Sequence, residues 1–216
     1  MFNNHFIKVV LLSSLLVPSV SAQELVVGYD GFYNRIKNSK KEQYVNTKIG
    51  VFLNNSQTGK HCQIENAFIN FEGAITDVAV GADSELLLPY NKQLRDDKAK
   101  LHVNVTDTAS CDLAFQIMTA ENNTVEYSSL TLVKQIEEFD LFLNNMAGYF
   151  GRMNLPTTMG VQFIFDDTVD AYTTSGTLFK SGKQISISQD EIIRDKIAGI
   201  KFSKQPLRIV PLTEIN

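Results

Sequence analysis

Cysteine, histidine and proline are scarce in this chain: two, three and five among 216 residues. Two cysteines cannot build the usual thiolate zinc site, and the histidines stand at no spacing that would complete one. Positive charge is also in short supply. Twenty Lys and Arg stand against 24 Asp and Glu, a formal net charge of −4. That balance lacks the clustered cations a phosphate backbone requires, so nucleic acid is not an expected partner. No His-Glu-x-x-His, Gly-x-Ser-x-Gly, phosphate-cradling loop or dinucleotide glycine pattern occurs. Neither a linker rich in Pro, Gly or Ser nor a low-complexity tract divides the chain.

What is present begins with an address. The first 22 residues, MFNNHFIKVVLLSSLLVPSVSA, join one lysine, Lys8, to an apolar run from Ile7 to Val17 and end in Val20-Ser21-Ala22. That is the pattern of a secretory signal peptide cleaved after Ala22. The alternative, a membrane anchor, fails on length: the run is about 11 residues, too few for roughly 30 Å of hydrocarbon. No cysteine follows to carry a lipid, and nothing later approaches a spanning length, so no transmembrane segment is expected in the mature chain. That chain runs from Gln23 to Asn216. Without Lys8 it holds 19 basic and 24 acidic residues, a net of −5. It is expected in the periplasm or the medium.

Such a compartment favours pairing of the only two cysteines, Cys62 and Cys111. In CDLAFQI, Cys111, Leu113, Phe115 and Ile117 share one strand parity; in HCQIE, Cys62 and Ile64 do. Both cysteines are therefore expected to face inward and His61 to face solvent. Adjacent strand residues cannot share a face, so His61 is badly placed to activate Cys62 as a nucleophile. A disulfide is favoured over a reactive thiol or a metal site, and no cofactor is expected.

Period-two patterns dominate the rest. TKIGVFLNN is apolar almost throughout, as if covered on both faces, and HCQIENAFINFE reads as its hairpin partner, with a bulge at Ala67-Phe68-Ile69. LHVNV and CDLAFQIM form a second unit of the same design. VEYSSLTLVK reads as a strand; from Ile136 the spacing turns helical through Phe139, Leu143, Met146 and Phe150. Glu137, Glu138 and Asp140 would sit at that helix's start, where its dipole favours anions. Turns are expected at Ser175-Gly176 and Ser181-Gly182. Ser188 and Glu191 form a capping box for a short helix over 189–198, closed by Gly199. Pro206 and Pro211 mark a terminal edge strand.

The fold class is therefore mainly β: antiparallel, sandwich-like sheets with one or two short helices, α+β being the alternative. One domain over 23–216 is the simplest division, with a possible seam near 119–124. Three features compete as sites. GYDGFYNR concentrates Tyr29, Phe32, Tyr33 and Arg35, a possible binding edge set against the plainer reading of aromatics tucked beneath a loop. Asp166, Asp167 and Asp170 offer oxygen ligands without the spacing of a calcium loop. His61 and His102 are the histidines that survive processing and could serve a spatially assembled hydrolase.

The phrases YDGFYNRIK, GVFL, LLLPYNKQLRDDKA, CDLAFQI and IKFSKQPLRIVPL together resemble a family of exported gammaproteobacterial proteins that carry a domain of unknown function. The resemblance implies an envelope protein of a Gram-negative bacterium and supplies no reaction or ligand. The expected function is a non-catalytic periplasmic protein that binds or supports an envelope protein or polymer. An exported hydrolase and a secreted surface or adhesion component are the alternatives.

Overall fold

The computed structural model describes residues 23–81, 83–106, 110–151 and 155–214, with side chains left aside at 147–151. The leader expected over residues 1–22 and the side chain of Phe150 lie outside that set.

Within it the chain is mainly β and every strand pairing is antiparallel. The first half has two layers. Strands β1 (Gln23–Gly28), β3 (Ile64–Phe71), β4 (Ala74–Asp77) and β7 (Lys100–Val105) form a sheet in the order β1-β7-β3-β4. Strands β2 (Thr47–Asn55) and β8 (Cys111–Thr119) form a separate ribbon. Alternate side chains meet between them: Leu101, Val103 and Val105 from β7, Ala67 and Ile69 from β3, Val51 and Leu53 from β2. Helix α1 (Asp30–Ser39) closes this core with Phe32, Tyr33 and Ile36. Between β4 and β7 lie a small ladder, β5 (Ala79–Val80) with β6 (Leu86–Leu87), and helix α2 (Lys92–Asp96).

The two expected hairpins need correction. After β2 the chain turns back for two rungs only. Asn55 N–H donates to Lys60 O at 2.8 Å, and Cys62 N–H donates to Leu53 O at 2.7 Å. It then leaves for the other layer, so β3 pairs with β7 while β8 pairs with β2. The returning connection runs alongside: Ser56 N–H donates to Ser110 O at 3.0 Å and Thr106 N–H to Gln63 O at 3.1 Å. Cys62 and Cys111 are bonded to each other at this crossing, their Cα atoms 6.3 Å apart. Polar pentapeptides between strands look alike whether they close a hairpin or change sheets, which is why local pattern misassigned them. The expected bulge is also displaced: the register breaks between Ile64 and Asn66.

The second half is organised on β10 (Thr157–Thr173). β11 (Leu178–Ser188) lies along one side. On the other, β13 (Arg208–Glu214) pairs with its first part and β12 (Gly199–Phe202) with its last. β12 in turn carries β9 (Glu126–Ser128). Gly160 threads the tightest point, where a Cβ would meet Ile187 O at 2.2 Å. Helix α3 (Ser129–Gly151) buries Leu132, Ile136 and Phe139 against Phe163, Ile187, Ile200 and Phe202 of this sheet.

Helix α3 starts seven residues before the expected position. Ser128 Oγ accepts from Thr131 N–H at 3.1 Å, an N-cap that the strand reading of SSLTLVK overlooked. Glu137, Glu138 and Asp140 are consequently mid-helix, and dipole placement does not explain them. Glu138 instead accepts the Asn46 backbone N–H at 2.9 Å. Ser181-Gly182 is not a turn: β11 runs through it, opposite the segment where β10 loops out between Ile164 and Val169. The capping box forms and starts α4 (Gln189–Arg194), but Gly199 opens β12 rather than closing the helix. The 119–124 stretch joins β8 to β9, and side chains of both halves pack together in small clusters, Phe52 and Met118 with Val210, Tyr44 and Ile49 with Phe142.

The disulfide closes a separation of 49 residues. The chain-entropy account values such a closure at about 4 kcal/mol. The Cys62→Ala/Cys111→Ala double variant is therefore expected to lose about that much stability in urea unfolding; a loss well under 1 kcal/mol would refute the role given to the crossing.

Candidate functional site

A groove of about 520 Å³ runs along the seam where the β2–β8 ribbon meets the β10 sheet. That volume is within the usual range of ligand clefts, which favour boundaries between packed units. Its first-half wall includes Phe52, Asn54, Lys60, His61, Phe115 and Gln116; its second-half wall includes Gln162, Ile164, Gln184 and Arg208.

His61 is the pivot. Strand parity does send it away from Cys62, but not into solvent as expected. The outward face of β2 is covered by β10 and β13, so the imidazole is half-buried and stacks on Phe52, centroids 4.5 Å apart. Its Nδ1 lies 2.7 Å from Asn54 Oδ1. An oxygen acceptor there places the proton on Nδ1, and Nε2 becomes the lone-pair acceptor. Nε2 is buried and unpartnered. Burial first, and then the Arg208 guanidinium, push the imidazole below its ordinary 6.5, while Asp83 opposes them.

Arg208 opens β13 and is 9% exposed. Its Nη1 donates to Asp83 Oδ2 at 2.9 Å, and its Cζ lies 4.9 Å from the Phe52 ring centroid. Its Nε is buried without a partner. Gln162 and Gln184 come from neighbouring positions on β10 and β11, and Gln162 Nε2 donates to Ser186 Oγ at 3.1 Å. No Ser, Thr, Tyr or Cys is among the described residues lining the groove.

The proposed binding edge is rearranged. Tyr29, Phe32 and Tyr33 are turned into the core, at 0%, 1% and 4% exposure, because residues 30–39 form a helix rather than a strand end. Only Arg35 reaches the surface. Its guanidinium lies 4.2 Å from the Phe115 centroid, and Phe115 lines the groove. The structure thus carries Arg35 to the groove's rim while burying the three aromatics beside it in sequence.

His102 lies apart, on the outer face of the β1-β7-β3-β4 sheet. It stacks on Phe68 at 4.8 Å, and its Nδ1 is 2.7 Å from Glu24 Oε1. This is the base-and-orienter half of a triad. The described residues lining the adjacent hollow offer Asn, Phe, Glu, Gly, Asp and Lys, and no nucleophilic hydroxyl or thiol. The Asp166 carboxylate accepts from Lys204 Nζ at 2.6 Å, and this ammonium holds it below the usual carboxylate range. Lys204 also lies 3.8 Å from Asp167, so a lysine supplies the positive charge that a calcium ion would bring. Among the described residues no group of three His, Cys, Asp or Glu side chains is gathered closely enough to hold a metal.

Arg208, Gln162 and Gln184 were not singled out from sequence. The first two carried a signal: each is a lone polar residue in an apolar strand, in PLRIVPL and GVQFIF. Asp83 and Gln184 carried none.

Fold and site together define a disulfide-stapled, mainly antiparallel β protein with a polar groove between two packed halves. The chain belongs to the family described as protein of unknown function (DUF2987), which matches residues 21–165. Comparison with curated proteins and with solved structures returned no match. The match spans the first half, α3 and part of β10. Four of the five phrases behind the family resemblance fall within it and meet in space, GVFL through the pairing of Val51 with Phe115. The Tyr29 hydroxyl donates to Pro89 O, Tyr33 stacks on Tyr90 at 5.0 Å, Arg95 lies over Tyr33, and Phe32 approaches Phe115 at 5.9 Å. IKFSKQPLRIVPL, which holds Arg208, lies beyond the match.

The lowered His61 pKa has a stability consequence. Below pH 6.5 the unfolded chain takes up a proton that folded His61 still refuses, so acidification through this window destabilises the fold. His61→Phe is expected to flatten the pH dependence of unfolding free energy across that window. An unchanged slope would show that the imidazole is not desolvated.

Proposed function

We propose that this is an exported, periplasmic protein of a Gram-negative, gammaproteobacterial envelope that binds another envelope component without chemically altering it. The observation that carries the reading is the seam groove, with walls that present amides, aromatic rings, the Lys60 ammonium and a charge-neutralised arginine. The polar groups hold a ligand by hydrogen bonding. No serine, threonine, tyrosine or cysteine is beside them in the described lining. Export is supported by the leader-like start of the chain and by the disulfide, a bond that persists in oxidising compartments. No described helix is long and apolar enough to cross a membrane.

A photo-crosslinking residue at Gln184, introduced in a Gram-negative host, tests this. The expected result is release of the protein by osmotic shock and a discrete adduct from position 184. The same residue at Val45, exposed and outside the groove, should give none. Retention in the cytoplasm, or equal labelling from both positions, contradicts the proposal.

A further inference from the structure

Charge is unevenly spread along this acidic chain. Residues 31–48 hold five basic side chains, Arg35, Lys37, Lys40, Lys41 and Lys48, against one acid, Glu42. The rest of the chain from Gln23 holds 14 basic against 23 acidic residues. A local net of +4 therefore stands on a body at −9, and a field of that kind draws anions to one place.

At that place lies a second hollow, of about 210 Å³, which shares no lining residue with the seam groove. Its floor is apolar. Ile36 of α1, Ile49 and Val51 of β2 and Leu86 of β6 all line it, and each is at most 9% exposed. Glu85 is the one carboxylate among its described lining residues, and it is already neutralised. Lys48 Nζ, also in the lining, lies 2.8 Å from Glu85 Oε1 and 2.9 Å from Oε2. Lys40 is different. It stands exposed at the end of α1 and lines both this hollow and an adjoining one that includes Lys41. Among the described residues no carboxylate comes within ion-pair reach of either ammonium.

Floor and rim make different demands, and one molecule meets both. A bare anion would satisfy the lysines and leave the aliphatic floor wet. A plain hydrocarbon would cover the floor and leave the lysines unanswered. A cation would be repelled. Size sets the tail: a dry apolar cavity of roughly 150 Å³ admits a six-carbon guest, so this hollow takes about eight carbons.

We propose that the hollow binds an anionic amphiphile, a medium-length acyl chain whose tail covers Ile36, Ile49 and Leu86 and whose head meets Lys40 and Lys41. The site is separate from the seam groove and goes beyond the function assigned to it.

The chain has no tryptophan, and Leu87 lines the hollow at 47% exposure, so Leu87→Trp sets a single fluorescent reporter at its edge. The mature chain is titrated with monomeric straight-chain carboxylates from butanoate to tetradecanoate, with amines of equal length, with octanol, and with phosphatidylglycerol vesicles. The carboxylates are expected to shift the emission, each methylene strengthening binding up to about fourfold as far as octanoate and little beyond it. Amines should bind far more weakly. Lys40→Gln, at an exposed position, should weaken octanoate about fivefold, the loss of one charged contact, and leave octanol unchanged. Calorimetry of the unsubstituted chain with octanoate should give the same affinity without the reporter. No response to any carboxylate, equal binding of amine and carboxylate, or octanoate binding indifferent to Lys40→Gln overturns the assignment. Affinity that climbs without levelling to tetradecanoate, the mark of nonspecific partition, overturns it too. A response to vesicles alone overturns the hollow and makes this surface a membrane contact. Each of these failures leaves the groove reading, tested at position 184, intact.

Discussion

The bond between Cys62 and Cys111 sits where two connections change layers side by side, and the first half of the molecule depends on that crossing. Hairpin strands specify each other by proximity in sequence. Here β2 must find β8 and β3 must find β7, each across a long loop whose closure opposes folding entropically. Covalent closure at the crossing removes that freedom from the unfolded chain. It also pins the ribbon over the four-stranded sheet, so that Val51 and Leu53 of β2 face Leu101 and Val103 of β7.

Once the ribbon is fixed, its other face becomes a docking surface for the second half. Phe52 turns away from the stapled core and packs with Val210, and the seam is tightened by the ion pair between Asp83 and Arg208. Both of those side chains are close to nine-tenths buried, 12% and 11% exposed. A pair so deeply placed does not guarantee net stability, but loss of either member would strand a charge. The seam is thus intolerant of mispacking, and its polar groove lies where the two layers meet. The family match covers the stapled layers and the whole of α3 and reaches into β10; the strand that contributes Arg208 falls outside the matched region.

Much of this was legible in the residues. Period-two alternation located β7 and β8, Pro206 and Pro211 marked the terminal strand β13, and parity correctly set Cys62 and His61 on opposite faces. Parity could not say what covered the outer face, because strand period reports sidedness and not neighbours. His61 therefore read as solvated, when β10 and β13 bury it. The same limit turned two sheet-changing connections into hairpins. Helix α3 was cut short because Leu130, Leu132 and Val133 suit either period until the longer run to Phe139 is included. Asp83 and Gln184, far from Arg208 and Gln162 in sequence, were invisible until folding placed them together.

Peptide mapping of the protein purified from its native host under non-reducing conditions, with free thiols alkylated first, tests the central claim most directly. The account predicts a single cross-linked peptide joining Cys62 to Cys111, no alkylated cysteine, and a chain that starts at Gln23. Two alkylated thiols on a chain that retains its first 22 residues would contradict it, since neither the oxidising address nor the stapled crossing could then stand.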